Sequence, residues 1–505
     1  MSRMLASSTV FTLIFAATGA LAAVTPEEVW ESWQAMSTSA GQDLTIGSTA
    51  RNGDTLEVTG LVITHADDLG GSFSATFDKL AFKDNGDGTV TVTMPESYPL
   101  ALAFPTDGEG PSSLKLTVAQ PGLVILAGGS ATETKYDFTA PTVTVTLDEA
   151  KDQAGAVLDT KASVALTEAT ASYLVATSGE TMNLDSSFAI KALALNLSGQ
   201  NMDGAADGGT GTLTMSLSDM AGTTKGTFLG AEIMANMATA LNSGFTSDSA
   251  FSFGGMTINL DATDASGPMK LVGSAAGGGL VLAMDKLRVN YGSSLKGASF
   301  TVSGAEIPFP EVVIGFGETA FNVLMPASKS DTPQDFAFLT KMVDFTVSED
   351  VWGLLDPGAT LPRDPATIIF DVKGTGFWKQ DIMDPEVQMD GPTPPGELTS
   401  LDLTQILAKA AGAEVSATGG LTFDNTDLAT FGGVPKPTGV INVDIKGVNA
   451  LIDNLIALGI LPDDQAMGAR MMLGMFTRPG AAPDEVTSVV EFKDGGLFAN
   501  GQQLQ

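Results

Sequence analysis

The sequence contains no cysteine and one histidine, His65, so disulfides, thiolate chemistry and the usual zinc and haem ligand sets are unavailable to it. Basic residues are scarce, with 25 Lys and Arg against 59 Asp and Glu and a net charge of −34. Nucleic acid and anionic lipid surfaces would repel such a chain. Long apolar runs are missing too. Leu5 to Ala17 is the longest near the start, and a bilayer span needs roughly 20 residues. Tryptophan and tyrosine number four each, too few for the two aromatic girdles of an outer-membrane barrel, and the end Gly501-Gln502-Gln503-Leu504-Gln505 is polar.

Arg3, the apolar run and Ala20-Leu21-Ala22 together form the pattern of an export signal cleaved after residue 22. The expectation is a periplasmic protein, or failing that an extracellular one, not embedded in the membrane after cleavage. Loss of Arg3 would move the net charge from −34 to −35. Charged residues make up only 17% and hydrophobic ones 43%, which favours a folded chain over a disordered one.

Thr25, Pro26 and Glu28 have the form of a capping box with a proline start. The helix they begin places Val29, Trp30, Trp33 and Met36 on one face, with the tryptophans expected to plug a sheet. From Thr55 to about Ala305 the apolar period is two, as in Phe73-Ala75-Phe77 and Leu213-Met215-Leu217, with Thr and Ser on alternate positions. Gly- and Asp-rich turns separate the runs, so the sheet is expected to be antiparallel. One helix is expected at Ile233–Leu241, ended by Gly244.

The half from residue 306 to 505 reads as mixed. Helices are expected at Thr332–Met342, Ser348–Leu355, Leu403–Ala411, Val448–Leu458 and Asp464–Phe476, strands at Thr367–Val372, Leu421 and Ile441–Ile445, and a closing hairpin turning at Lys493–Gly496. Asp384–Pro395 reads as a linker. The fold class is therefore β-rich α+β, with long curved antiparallel sheets and a few packed amphipathic helices, in halves 23–305 and 306–505.

No motif assembles a catalytic set or calls for a cofactor. His65 lies beside Asp67 and Asp68 at a strand end and reads as a turn histidine. Ser112-Ser113-Leu114-Lys115 and Ser293-Ser294-Leu295-Lys296 carry the Ser-x-x-Lys spacing of penicillin-recognising enzymes, but both run into strands, where that spacing separates the pair. Gly315 to Ala320 fits a loose dinucleotide pattern without room for its helix, since Pro326 follows, and reads as a bulged or bent strand. Asp84–Gly88 reads as a hairpin turn. Asp203 and Asp207 are the residues from which a chance calcium site would be built. Met467, Met471, Met472 and Met475 read as core filling by a C-terminal helix, the alternative being an adaptable lipid or peptide surface.

Val351 to Gly358, with Leu361-Pro362-Arg363-Asp364-Pro365-Ala366-Thr367, resembles a hallmark of an uncharacterised family of bacterial periplasmic proteins. The C-terminal pattern Thr438-Gly439-Val440, Gly447 to Gly459 and Ala466 to Phe476 is similar to the same family, as is the start Val24 to Trp30. Within the hallmark, Asp356, Pro357, Arg363, Asp364 and Pro365 are the candidate structural motif, with Arg363 expected to pair with the acids and fix a rigid turn. More distantly, the helix-plus-strand ending looks like the AsmA-type envelope proteins. That resemblance implies a curved sheet exposing an apolar groove, with lipid or an envelope protein as partner. A non-enzymatic envelope role is the leading expectation; a carboxylate-dependent hydrolase or an adhesive β-protein are the alternatives.

Overall fold

A computed structural model describes residues 23–39, 41–66, 71–104, 113–130, 132–200, 209–387 and 395–505. The expected export segment, Asp67 and Asp68, Ser112 and the Asp203/Asp207 loop lie outside the described residues, as does most of the expected linker.

Helix α1 (Pro26–Ser39) starts on the capping box: Thr25 N–H donates to Glu28 Oε2 at 2.8 Å, and Glu28 N–H donates to Thr25 Oγ1 at 3.3 Å. It is followed by β1 (Asp43–Thr45), β2 (Ser48–Asn52), β3 (Thr55–Ala66), β4 (Ser72–Asp84), β5 (Val90–Thr93), β6 (Ser97–Ala103), β7 (Ser113–Ala119), β8 (Val124–Ser130), β9 (Glu133–Lys151), β10 (Thr160–Ser178), β11 (Thr181–Gln200) and β12 (Thr210–Phe228). After α2 (Ala231–Met234) and α3 (Met237–Asn242) come β13 (Thr246–Phe253), β14 (Gly255–Asp264), β15 (Gly267–Ala275), β16 (Gly277–Met284), β17 (Val289–Gly304), β18 (Val312–Met325) and β19 (Gln334–Val347). The last section comprises α4 (Glu349–Leu355), β20 (Ala366–Trp378), β21 (Gly396–Ala410), β22 (Ala413–Asp424), β23 (Lys436–Lys446), α5 (Val448–Ala457), α6 (Asp463–Phe476), β24 (Arg478–Pro479), β25 (Glu485–Lys493), β26 (Gly496–Ala499) and β27 (Gln502–Gln503).

These strands form one antiparallel sheet that advances in chain order. β5 and β6 together make one bent lane against β4, and β7 with β8 make the next, both halves of which meet β9. The same arrangement recurs later: β13 and β14 pair with β12, and β15 and β16 pair with β17. The sheet is continuous past residue 305, where β17 and β18 pair.

A crease crosses the middle lanes. Glu168 of β10 (φ 49°), Asp219 of β12 (φ 49°), Gly297 of β17 (φ 55°) and Asp344 of β19 (φ 51°) are left-handed. By register they align through Lys191, Gly254, the Ala276–Gly277 step and Gly317, so each lane is interrupted at one line. The apolar alternation shifts there by one residue. In β11, Phe188 and Ile190 precede the line and Leu193, Leu195 and Leu197 follow it; in β18, Ile314 and Phe316 precede, and Phe321 and Val323 follow. In an unbroken strand such a shift would send the two sets to opposite sides. The interruption supplies the missing step, as a bulge does. In β11 and β12 the more sheltered positions change parity at the same place, so both apolar sets face the sheltered side.

The buried core lies at the N-terminal end, where Trp30 and Trp33 stand 5.7 and 5.5 Å from Phe82 over Val58, Leu61, Leu80 and Ile125. The tryptophans seal the sheet, as expected. A second small cluster, around Ala240, Leu241, Phe245 and Ala327, packs against Phe228, Met284 and Val289 at the ends of β12, β16 and β17. The single helix expected there is split, because Asn236 turns the chain and accepts from Thr239 N–H as a new N-cap.

Two further expectations fail. Thr332–Met342 is not a helix; Gln334 onward is strand β19, and Thr332 N–H donates to Ser330 Oγ in the turn before it. Leu403–Ala411 lies largely in strand β21, whose register shifts between Leu403 and Ile406. That bulge puts Leu403, Ile406 and Leu407 at helix-like spacing within a strand.

Candidate functional site

Residues paired across antiparallel strands share a face, so the register assigns every side chain of lanes β17 to β25 to one of two sides. One side runs through Tyr291, Phe321, Phe338, Phe370, Ile406, Ala417, Val443 and Ser488 and their alternate neighbours. From Val289–Leu295 through Val486–Phe492 this set contains no charged residue. The other side carries Glu318, Lys341, Asp371, Lys409, Glu414, Asp444 and Glu491. Cross-strand ion pairs knit it together, including Lys341 with Glu318 at 2.5 Å and Lys446 with Glu414 at 3.5 Å.

The uncharged side continues towards the N-terminus through Leu280, Leu282, Phe251, Phe253 and Phe188. Its aromatic rings approach one another across lanes: Phe188 and Phe251 at 6.4 Å, Phe321 and Phe338 at 5.7 Å, Phe338 and Phe370 at 5.9 Å. An open depression of about 480 Å³ lies on it, lined by Phe251, Phe253, Leu280, Leu295 and Phe321. At ~4.8 Å per lane, the fourteen lanes from β9 to β25 span roughly 60 Å.

Much of this side lacks a covering layer among the described residues, although Val372 and Ser488 on it are buried and Ser488 Oγ donates to the Phe476 carbonyl at the end of α6. Leu280, Ile368 and Phe370 are 47%, 50% and 42% exposed, and neither buried cluster extends to lanes β21–β25. Apolar side chains that fill a core reach near-zero exposure, as Val58 and Phe82 do at the N-terminal end. A contiguous apolar surface of this kind marks an interaction surface.

The hallmark motif forms a different sort of node. Asp356, fully buried, ends α4 and accepts from the backbone N–H of Thr360 at 2.9 Å and of Leu361 at 2.7 Å. Burial pushes its carboxyl up, but those N–H groups and the nearby Arg363 charge outweigh burial and hold it below the ordinary range. Arg363 Nη2 donates to the Asp356 carbonyl at 3.0 Å, lies 3.6 Å from Asp356 Oδ2, and its guanidinium stacks 4.8 Å over Trp352. Its other ionic neighbour is Glu349, at 3.6 Å; Asp364 and Pro365 are exposed, and no Arg363–Asp364 pair occurs among the described residues. Pro357 follows Asp356 in the turn.

The remaining sequence candidates do not meet one another. His65 Nδ1 is 2.7 Å from the Gly41 carbonyl. Ser293 and Lys296 lie in β17, three residues apart and so on opposite sides. Gly315–Ala320 lies within β18 as a bent strand, with the crease passing at Gly317 opposite Asp344. Asp84 and Asp87 accept from backbone N–H groups of their own turn. Among the described residues, the carboxyls displaced from ordinary values are all displaced downward, Asp427 to about 2 by Thr430 and Lys436. A glycosidase acid needs the opposite displacement.

The methionines of α6 contradict the core-filling expectation. Ala466 is the buried residue of that helix, while Met467, Met471, Met472 and Met475 are 56–70% exposed. Among the described residues, no helix is long and apolar enough to cross a membrane.

A family described as "Uncharacterized protein conserved in bacteria (DUF2125)" matches residues 253–504, which contain the hallmark motif and the C-terminal pattern but not the start at Val24. No curated protein and no solved structure matches the chain.

Proposed function

Through residues 253–504 the chain belongs to this uncharacterised bacterial family, and from that premise we propose that it is an exported, non-enzymatic envelope protein whose creased sheet holds lipid acyl chains. The observation that carries the reading is the uncharged, largely uncovered side of lanes β17–β25, backed by a charged side cross-linked by ion pairs. A surface with no charged residue offers nothing to pair with a charged substrate, and its polar groups include hydroxyls such as those of Ser293, Thr319 and Thr340. It does suit methylene chains, which gain about 0.8 kcal/mol per buried CH₂. A chain of about fourteen methylenes with half its surface sheltered gains roughly 5 to 6 kcal/mol before ordering costs, and a phospholipid with two such chains roughly twice that. The likeness to AsmA-type envelope proteins supports the same reading, and the export signal pattern at residues 1–22 supports the compartment.

The test is to purify the mature protein from periplasm without detergent and extract it for lipid mass spectrometry. Co-purified phospholipid or fatty acid near equimolar amounts is the expected result. Lipid-free protein that also fails to take up a fatty acid added in solution would overturn the proposal.

A further inference from the structure

Three Asn–Gly steps occur in the sequence: Asn52-Gly53, Asn85-Gly86 and Asn500-Gly501. Each carries the same latent reaction, because glycine has no Cβ to keep its peptide nitrogen away from the preceding side-chain amide. Their surroundings differ. Asn85 Nδ2 donates to Thr89 Oγ1 at 2.9 Å and to Thr91 Oγ1 at 3.0 Å, and the Gly86 N–H donates to Asp84 Oδ1 at 2.8 Å. A carboxylate bound there opposes loss of the Gly86 proton. Asn500 is held at both ends: its Oδ1 accepts from Val489 N–H at 2.9 Å, and its Nδ2 donates to the Phe476 carbonyl at 2.9 Å.

Asn52-Gly53 has neither restraint. Asn52 pairs with Thr55 across a tight turn in which Gly53 is left-handed at φ 61° and open to solvent. Both residues are exposed. Among the described residues the Asn52 side chain bonds only to Glu57 Oε2, at 3.3 Å, and the Gly53 N–H has no acceptor. Arg51 Nε donates to the Gly53 carbonyl at 2.9 Å, which sets a positive charge on the residue whose nitrogen must lose a proton.

We propose that Asn52 is a site of spontaneous deamidation that ages the seal made by α1. The deprotonated Gly53 nitrogen attacks Asn52 Cγ. The new C–N bond closes a succinimide as the Cγ–Nδ2 bond breaks, and the side-chain nitrogen takes up protons from water and leaves as ammonia. Water then opens either carbonyl of the ring, giving aspartate or isoaspartate with no oxidant or reductant. Both products set a carboxylate against Glu57. Isoaspartate also adds a methylene to the main chain between Arg51 and Gly53. Arg51 is the residue that ties this turn to α1, its Nη1 donating to the Glu27 carboxylate at 3.0 and 2.8 Å.

Peptide mapping by mass spectrometry tests the proposal, on the folded protein held at mildly alkaline pH and on the same protein unfolded in guanidinium chloride. The folded protein should convert Asn52 to a mixture of aspartate and isoaspartate, with Asn85 and Asn500 at least roughly ten-fold slower, since each must first break two or more hydrogen bonds. In the unfolded chain the three rates should come together. Asn52→Gln, which would have to close a larger ring, should stay unconverted. Converted wild type should melt below fresh protein, and the fall should be smaller in Arg51→Ala, which already lacks the tie to α1. Conversion of Asn85 or Asn500 as fast as Asn52 in the folded protein, or a folded Asn52 that stays intact while the unfolded chain reacts, would overturn the site. Equal falls in wild type and Arg51→Ala would overturn its link to α1.

Discussion

Asp219 and Gly254 face each other at the crease: Asp219 is left-handed at φ 49°, and a Cβ on Gly254 would stand 3.0 Å from the Asp219 Cβ. Aspartate tolerates this conformation, glycine tolerates it better and a β-branched residue does not. Asp219→Gly should therefore stay within about 0.5 kcal/mol of wild type, whereas Asp219→Val should lose roughly 1 to 2 kcal/mol. Gly254→Val, which must displace the Asp219 side chain, should cost about 1 to 3 kcal/mol. Urea unfolding midpoints measure all three; equal midpoints for Asp219→Gly and Asp219→Val would mean that the crease is not held by backbone conformation.

Acid sensitivity should have a local source in the turn before β23. Thr430 and Lys436 hold Asp427 at about 2, below the ordinary 3.8. A depressed carboxyl stabilises the fold above its unfolded value and loses that contribution as pH falls through its folded value. The melting temperature of wild type minus that of Asp427→Asn should thus be positive at pH 5 and shrink to nothing between about pH 4 and pH 2. A difference independent of pH across that window would contradict the assignment.

Self-repulsion among 59 acids opposed by 25 bases should make the protein salt-stabilised. Its melting temperature should rise from low to roughly physiological salt, where screening acts within about 8 Å. Magnesium and calcium should add little at matched ionic strength, and reductant should change nothing. A rise specific to calcium would point first to Asp203 and Asp207.

Much of the sheet could be read from alternation alone, because Thr and Ser opposite Leu, Val and Phe mark two-sided strands, as in Leu213-Met215-Leu217. Two strands carry helix-like sequence patterns for physical reasons. In β21 the bulge between Leu403 and Ile406 produces helical spacing. In β19, Ala337 and Leu339 are apolar on the side opposite Phe336 and Phe338, which erases the period of two. The crease hid in the same way: a parity shift at Lys191 or Gly317 looks like a strand end until the pairing shows one lane passing through it. The hallmark Asp356 and Arg363 were visible as residues, but the Trp352 stack and the Glu349 neighbour depend on how α4 folds back. The continuous uncharged side was beyond reach, since it is a property of register between lanes.

That side is where the account is most exposed to test. The measurement is uptake of a fluorescent fatty acid by wild type, by Phe321→Glu/Phe370→Glu on the uncharged side, and by Asp371→Ala/Lys409→Ala on the charged side, each checked for an unchanged circular dichroism spectrum. Burying acyl surface against two introduced carboxylates should weaken binding at least roughly ten-fold, while the charged-side variant binds like wild type. Equal binding by all three proteins, or a loss confined to the charged-side variant, would contradict a lipid-holding role for the creased sheet.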